Sequence, residues 1–263
     1  MLWSVVAFLL AFEAVRIEAK CEWSDEEVVC RLKILDFRRN SSSAAMQVPS
    51  PGLAEAKSLR VLCSDVFFFE SQLRSDHLGS LPGLDELEIS FCKLRTLPPR
   101  TFVGLSSLSR LVIHTHNQDW TSLQMQPDYE SLVGLERLHS LDMQWNNLHQ
   151  IPAGFFCPLK NLRHIDLSFN AIKDLNFLGI HRGTNIKEEF QCSIPAQSLS
   201  LRNNGLVTVT PHALAALAAS LKHLDLSRNN IDVLVEATFQ DLSLLETIDL
   251  SFNQLAALPP SKY

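Results

Sequence analysis

The feature that most constrains this chain is an internal repeat with a base period of 24 residues. Each unit has apolar residues at its first, fourth, sixth and eleventh positions, with asparagine or cysteine at its ninth. Five units match in full: Leu84-Leu87-Ile89-Cys92-Leu94, Leu138-Leu141-Met143-Asn146-Leu148, Leu162-Ile165-Leu167-Asn170-Ile172, Leu221-Leu224-Leu226-Asn229-Ile231 and Leu245-Ile248-Leu250-Asn253-Leu255. The unit from Ala196 has a small first residue, and the unit from Leu108 places His116 where asparagine belongs. Repetition of this kind is typical of solenoids, in which each coil stacks on its neighbours.

The second half of each unit repeats in phase with the first half. Phe102, Phe156 and Phe239 recur at equivalent places, with leucines three and six residues after each. The ninth positions, 92, 116, 146, 170, 204, 229 and 253, are separated by 24, 30, 24, 34, 25 and 24 residues, so two units carry insertions. These patterns predict an α/β leucine-rich-repeat solenoid, a horseshoe whose parallel β-sheet lies on the concave face.

The ninth position has a physical role. Apolar residues at the fourth and sixth positions place two side chains on the inner face of a short strand. The chain then turns out of the strand inside the solenoid, where an unpaired backbone group costs about 1–3 kcal/mol. An asparagine amide can both donate to and accept from such groups, so we expect a ladder between coils. Its expected members are Cys92, Asn146, Asn170, Asn204, Asn229 and Asn253.

Segments outside the repeats complete the expected domain organisation. Residues 1–19 have an apolar core too short to span a bilayer and are predicted to be a signal peptide. Residues 20–58 are assigned to an amino-terminal cap and entry segment, and residues 59–263 to about eight repeats, the last incomplete. The segment that starts at Leu258 lacks its expected phenylalanine, so we interpret the chain as a truncated piece or short isoform of a longer ectodomain. No stretch predicts a transmembrane helix.

Six cysteines in a secreted chain favour disulfides over metal or redox chemistry. We expect Cys21–Cys30 to close the cap and Cys157–Cys192 to join neighbouring coils. For Cys63 and Cys92, a disulfide and a pair of buried free thiols both remain open. Asn40 begins the one permitted glycosylation sequon, which is either used or an unmodified part of a polar loop.

The eighth position of each unit provides candidate ligand-binding residues on the concave face. The residues there are Phe91, Trp145, Phe169, Arg228 and Phe252. Exposed aromatic residues and arginine are enriched at protein interfaces, although packing between neighbouring coils explains the same pattern. The recurrent aspartates of the fifth position, such as Asp142 and Asp166, are expected to pair with nearby polar groups in solvent.

Other function classes have little support. The net charge of −6 gives no reason to expect nucleic acid, whose phosphates select clustered lysine and arginine. His114-Thr115-His116 lacks a third ligand, so no metal site is predicted, and no cofactor is expected. The chain lacks the serine elbow, the phosphate-binding glycine loop and the zinc-protease motif, and we expect no enzyme activity.

The irregular segments resemble the start of the ectodomain of Toll receptors, most closely the long Toll receptors of arthropods. The motifs that carry this resemblance are Cys63-Ser64-Asp65 with Phe68-Phe69-Glu70-Ser71, Ile89-Ser90-Phe91-Cys92-Lys93, Ile113-His114-Thr115-His116-Asn117 with Trp120, and Phe155-Phe156-Cys157-Pro158-Leu159. The resemblance implies an extracellular glycoprotein receptor of innate immunity or development. Its ligand would be a protein such as a Spätzle-like cystine-knot cytokine, and receptor homo- or heterodimers are implied as well.

This sequence departs from the family pattern, because it contains no carboxy-terminal cysteine cap, no transmembrane segment and no TIR signalling domain. We therefore expect a secreted or extracellular chain that does not transduce a signal alone, whereas a full-length relative would cross the plasma membrane once. The alternative is a secreted leucine-rich-repeat decoy, or an adhesion or matrix protein.

Overall fold

The computed structural model describes residues 20–24, 26–35, 55–64, 70–74, 78, 81–117, 123–178, 193–211 and 213–257. Four sequence predictions concern residues outside these ranges: the signal peptide, the sequon at Asn40, the incomplete unit from Leu258 and the partner expected for Cys157, which is Cys192. These predictions remain open.

Ten strands form one sheet that runs along the solenoid. Along the chain, the fourteen strands of the described residues are β1 Lys20–Ser24, β2 Glu27–Leu32, β3 Ser58–Cys63, β4 Glu86–Ser90, β5 Thr96–Leu97, β6 Arg110–His114, β7 Gln126–Pro127, β8 Ser140–Asp142, β9 His164–Asp166, β10 Ser198–Ser200, β11 Thr208–Val209, β12 His223–Asp225, β13 Val233–Leu234 and β14 Thr247–Asp249. The order in the large sheet is β1-β2-β3-β4-β6-β8-β9-β10-β12-β14. β1 and β2 are antiparallel, and every later pair in this sheet is parallel.

Strand alternation places the core on one side of this sheet. Leu141 and Met143 are buried, whereas Ser140, before them, and Asp142, between them, remain partly exposed. The same register continues across the sheet, with Leu141 opposite Ile165 and Leu199 opposite Leu224. One continuous hydrophobic cluster extends from Val28 to Leu242, so each coil is stabilised by its neighbours rather than by its own contacts.

Among the described residues, turns and two 3-10 helices, Leu175–Leu178 and Ala215–Leu217, connect the strands of the large sheet. Phe102 and Phe156 are buried in these connections, and Phe239 packs against the same core. The leucine-rich-repeat architecture with its parallel sheet is therefore confirmed. Within the described ranges, no helix is long and apolar enough to cross a membrane.

The asparagines of the ninth position form a hydrogen-bonded ladder inside the solenoid. Asn170 is the clearest case: its Oδ1 accepts the backbone N–H groups of Asn146 and Leu148 at 3.0 Å each. Its Nδ2 donates to the carbonyls of Met143 and Leu167 at 2.9 Å. Asn146, Asn204, Asn229 and Asn253 repeat this pattern on their own neighbours. The turn that leaves each strand is thus satisfied by the next coil.

Two disulfides join the first coils. Cys21 and Cys30 are bonded across the antiparallel pair β1–β2, with their Cα atoms 4.0 Å apart, as predicted for the cap. Cys63 and Cys92 are also bonded, with a Cα separation of 4.9 Å, so the free-thiol alternative is wrong. Cys157 is disulfide-bonded too, but its partner lies outside the described residues.

Candidate ligand-binding face

The residue just before each ladder position has a left-handed backbone. Its φ angle lies between 52° and 62° in Phe91, His116, Trp145, Phe169, Asn203, Arg228 and Phe252. This conformation is disfavoured for residues other than glycine, and here the neighbouring coils maintain it. The N–H of Phe169, for example, donates to the carbonyl of Arg202 at 2.9 Å, and Arg228 does the same with Ser251. These seven residues, which we call the turn column, line one edge of the sheet.

Aromatic rings stack along the first part of the turn column. The ring centroids of Phe91 and His116 are 4.6 Å apart, those of His116 and Trp145 are 5.5 Å apart, and those of Trp145 and Phe169 are 4.1 Å apart. The planes of each pair lie within 10° of parallel. Parallel strands lie about 4.8 Å apart, which is close to the separation that stacked rings prefer, so regular coils bring these rings together.

His116 belongs to this column and not to the asparagine ladder, so the sequence assignment of His116 to the ninth position is wrong. The coil contains one extra residue, Thr115, whose N–H donates to Asn146 Oδ1 at 3.0 Å. Its hydroxyl donates to the carbonyl of Trp145 at 3.3 Å. Asn117 is the buried asparagine of this coil, and its Nδ2 donates to the carbonyl of Leu94.

The second part of the turn column pairs a cation with a ring. The guanidinium carbon of Arg228 lies 4.4 Å from the centroid of Phe252. Phe91 is 42% exposed, which is unusual for phenylalanine, and Phe252, in the last coil of the described residues, is 71% exposed. The stacked rings agree with the packing interpretation, whereas the interface interpretation stays a prediction.

The recurrent aspartates have a structural role. The Oδ1 atoms of Asp142, Asp166, Asp225 and Asp249 each accept the backbone N–H two residues later, at 2.8–3.2 Å. These bonds hold the end of each strand where it enters the left-handed turn. The fifth-position aspartates therefore position the turn column, and their carboxylates do not form a free acidic row.

A polar groove of about 330 Å³ lies beside the column on the outer face of β2, β3, β4, β6 and β8. Arg60 crosses it and contacts Glu88 at 2.8 Å and Glu27 at 3.7 Å. The Glu88 hydrogen bond and charge raise the pKa of the Arg60 guanidinium. Further along, His114 Nε2 lies 2.7 Å from Asp142 Oδ1.

The environments of two neighbouring aspartates shift their pKa values in opposite directions. Burial alone raises the pKa of Asp142, but the hydrogen bond and charge of His114, together with the N–H groups of Gln144, bring that pKa below its usual range. Burial raises the pKa of Asp166, and the hydrogen bonds from Ser168 offset this only in part. The negative charge of Asp142 adds to the increase.

The histidines that suggested a metal site are accounted for by other contacts. His114 contacts Asp142, and His116 is stacked between Phe91 and Trp145, so the two rings lie edge to face with centroids 6.4 Å apart. In the part of the chain that the structure describes, no three His, Cys, Asp or Glu residues are grouped as metal ligands.

The structure places all five predicted site residues, Phe91, Trp145, Phe169, Arg228 and Phe252, in the turn column. Sequence analysis did not identify His116 and Asn203 as members of the same column. A template that tolerates one inserted residue would have found His116, because Asn117 follows it directly. The groove around Arg60 has no such sequence signal, since its charges come from five strands.

Comparisons with known proteins agree with this architecture. The family model for leucine rich repeats matches residues 129–182 and 195–255. Toll-like receptor 7 of Drosophila melanogaster is 30% identical over 221 residues, which cover 82% of this chain and 15% of that receptor. The chain thus spans a small part of the length of this relative.

Two solved structures share the fold. The glycosylated Toll–Spatzle complex of Drosophila matches 95% of this chain and 34% of the chain compared, with a TM-score of 0.64 and 17% identity. The match to the complex of TLR13 with a single-stranded RNA covers 78% of this chain and 30% of the TLR13 chain, with a TM-score of 0.53 and 22% identity.

Proposed function

This chain is a leucine-rich-repeat ectodomain segment of the Toll and Toll-like receptor family, and on that premise we propose that it binds an extracellular protein ligand through its concave face. The chain covers only 15% of its Drosophila relative, so the ligand and the assembly of the whole receptor are part of the proposal. We propose a cystine-knot cytokine of the Spätzle type as the ligand, and receptor pairing as a consequence of binding.

The stacked rings of Phe91, His116, Trp145 and Phe169 are the observation that carries this proposal. A rigid aromatic surface loses little conformational entropy on binding, and aromatic residues provide much of the affinity at protein interfaces. The polar groove beside the rings supplies charges of both signs, from Arg60 and Glu88 among others, which favour orientation of a protein partner.

An extracellular location fits the disulfides. Bonds such as Cys63–Cys92 persist in oxidising compartments and are rare in the cytosol. Secretion of the chain and use of the sequon at Asn40 remain part of the proposal.

A protein ligand is favoured over nucleic acid by charge. The groove contains the carboxylates of Glu27, Glu86, Glu88 and Asp142, which would repel phosphate groups. The chain as a whole carries a net charge of −6. The RNA in the TLR13 complex therefore gives no reason to assign RNA binding to this chain, and RNA serves below as a comparison ligand.

Surface plasmon resonance tests the proposal. The immobilised chain is exposed to a panel of Spätzle-type cystine-knot proteins and, separately, to single-stranded RNA. We expect a protein of the panel to bind, and the Trp145→Ala/Phe169→Ala variant to bind it at least about 30-fold more weakly, since central aromatic residues contribute about 2 kcal/mol or more.

Tyr129→Ala is the matched control, because Tyr129 is 49% exposed and lies outside the ten-stranded sheet. The Tyr129→Ala variant should bind the cystine-knot protein with the affinity of the unmodified chain. Equal affinities of the unmodified chain, the double variant and Tyr129→Ala would exclude the stacked rings as the ligand surface. Binding of RNA alone would overturn the choice of ligand.

A further inference from the structure

The turn column is interrupted at one coil. Six of its seven members carry a ring or a guanidinium group, and the seventh, Asn203, carries neither. Phe169 precedes this gap and Arg228 follows it. The coil of Asn203 carries an insertion, since Asn170 and Asn204 are 34 residues apart, but its strand remains paired with the strands on both sides.

The backbone around Asn203 continues the register of its neighbours. β10 pairs in parallel with β9 on one side and β12 on the other. Asn203 keeps the left-handed φ of 52°, and its N–H donates to the carbonyl of Ser227 at 3.0 Å. Phe169 and Arg228 are therefore two strand spacings apart, about 9.6 Å. Ring neighbours elsewhere in the column are 4.1 to 5.5 Å apart, so the gap has the width for one planar group beyond the short side chain of Asn203.

Phe169 and Arg228 border the gap, and each already stacks against another side chain on the face that points away from the gap. Trp145 stacks on one face of Phe169, and no described ring or cation lies against the other. Phe252 covers one face of the Arg228 guanidinium, and among the described residues Arg228 forms no ion pair. Asn203 itself is exposed. The gap therefore offers a ring face on one side and a cation on the other.

We propose that the gap bounded by Phe169, Asn203 and Arg228 receives an aromatic side chain of the protein ligand. Stacking on Phe169 continues the arrangement of the first four rings. The electron-rich face of the guest ring is attracted by the positive charge of Arg228, which selects an aromatic group over an aliphatic one of equal size. This inference rests on the proposed function and specifies the ligand group that the face recognises.

Small probes test the gap without the natural ligand. The chain is titrated with N-acetyl-phenylalaninamide, and the nuclear magnetic resonance signals of the Asn203 side-chain amide and the Arg228 Nε–H group are followed. We expect saturable shifts of both signals with a Kd on the order of 1–10 mM, as suits so few atoms. N-acetyl-cyclohexylalaninamide, which has the same shape class without π electrons, should bind about tenfold more weakly.

Variants at Asn203 provide the control. Asn203→Phe should complete the column within the chain and abolish probe binding, because Phe91, Phe169 and Phe252 already tolerate this backbone conformation. Asn203→Ser keeps the gap open and should bind the probe within about twofold of the unmodified chain. If Asn203→Phe fails to fold, Phe169→Leu removes one wall and should weaken binding about tenfold.

Three results would overturn the inference: shifts that map elsewhere, equal binding of the two probes, or unchanged binding by Asn203→Phe. Tighter binding of uridine than of the phenylalanine probe would overturn it as well and reassign the gap to a nucleobase. The experiments distinguish a failure of this inference from a failure of the proposed function. If Trp145→Ala/Phe169→Ala weakens binding of a cystine-knot protein but Asn203→Phe does not, the concave face remains the ligand surface and only the gap is lost.

Discussion

The backbone N–H of Asn146 donates to Oδ1 of Asn170 at 3.0 Å, which joins the turn of one coil to the side chain of the next. Both residues are buried, so water cannot replace this bond. The left-handed residue before each asparagine depends on the same turn. The ladder thus determines where Trp145 and Phe169 lie on the surface.

Loss of one ladder side chain should destabilise the solenoid strongly. Asn170→Ala removes the acceptor of two backbone N–H groups and the donor to three carbonyls, and we expect the free energy of unfolding to fall by about 2–4 kcal/mol. Urea unfolding followed by circular dichroism measures this change. Asn176→Ala is the control, since Asn176 is exposed and lies outside the ladder, and it should change the free energy by less than about 0.5 kcal/mol. Similar losses in both variants would mean that the ladder bonds do not stabilise the fold.

The two disulfides of the first coils should contribute unequally. Cys63 and Cys92 are 29 residues apart in sequence, whereas Cys21 and Cys30 are 9 apart. Loop-closure entropy predicts losses of roughly 3.6 and 2.7 kcal/mol when each pair is replaced by alanine. Thermal unfolding of the two double variants should therefore give the lower midpoint for Cys63→Ala/Cys92→Ala. The reverse order would show that strain or packing, rather than chain entropy, determines the effect.

Asp142 and Asp166 should affect the pH dependence of stability with opposite signs. The pKa of Asp142 is lowered in the folded state, so its contribution is present above the unfolded pKa of about 3.9 and is lost as the pH falls through the folded value. The pKa of Asp166 is raised, so its charged form opposes folding at neutral pH, and this penalty disappears as the pH falls.

Urea unfolding at several pH values between about 3 and 7 measures both effects. At neutral pH, Asp142→Asn should be less stable than the unmodified chain, and Asp166→Asn should be at least as stable. Towards acid pH, both differences should shrink. A stabilising Asp142→Asn substitution at neutral pH would contradict the importance of its contact with His114.

Much of the fold follows from the sequence because the repeat is a local pattern. Residues such as Leu141, Met143 and Asn146 have equivalents at fixed spacing in each coil, and strand alternation then determines which side chains are buried. A template of fixed length misaligns the unit with His116, because the buried Thr115 adds one residue and its N–H takes up the contact with Asn146.

The candidate site was less predictable, because it depends on contacts between coils. The aromatic residues of the eighth position were visible in the sequence, but their stacking was not, since it requires the coil spacing and the left-handed backbone together. The same holds for Asp142 and Asp166: one repeat position predicts one role, but only Asp142 has His114 beside it. Spacing also left Cys63 and Cys92 undecided between a bond and two thiols.

The proposal that the ligand covers the stacked rings is tested most directly by hydroxyl-radical footprinting of the chain with a bound Spätzle-type cystine-knot protein. Oxidation of Phe91, Trp145 and Phe169 should fall several-fold in the complex, while Tyr129 and Val103, which are 49% and 52% exposed, should be oxidised as in the free chain. Protection of Tyr129 or Val103 with unchanged oxidation of the rings would place the ligand on another face and contradict this account.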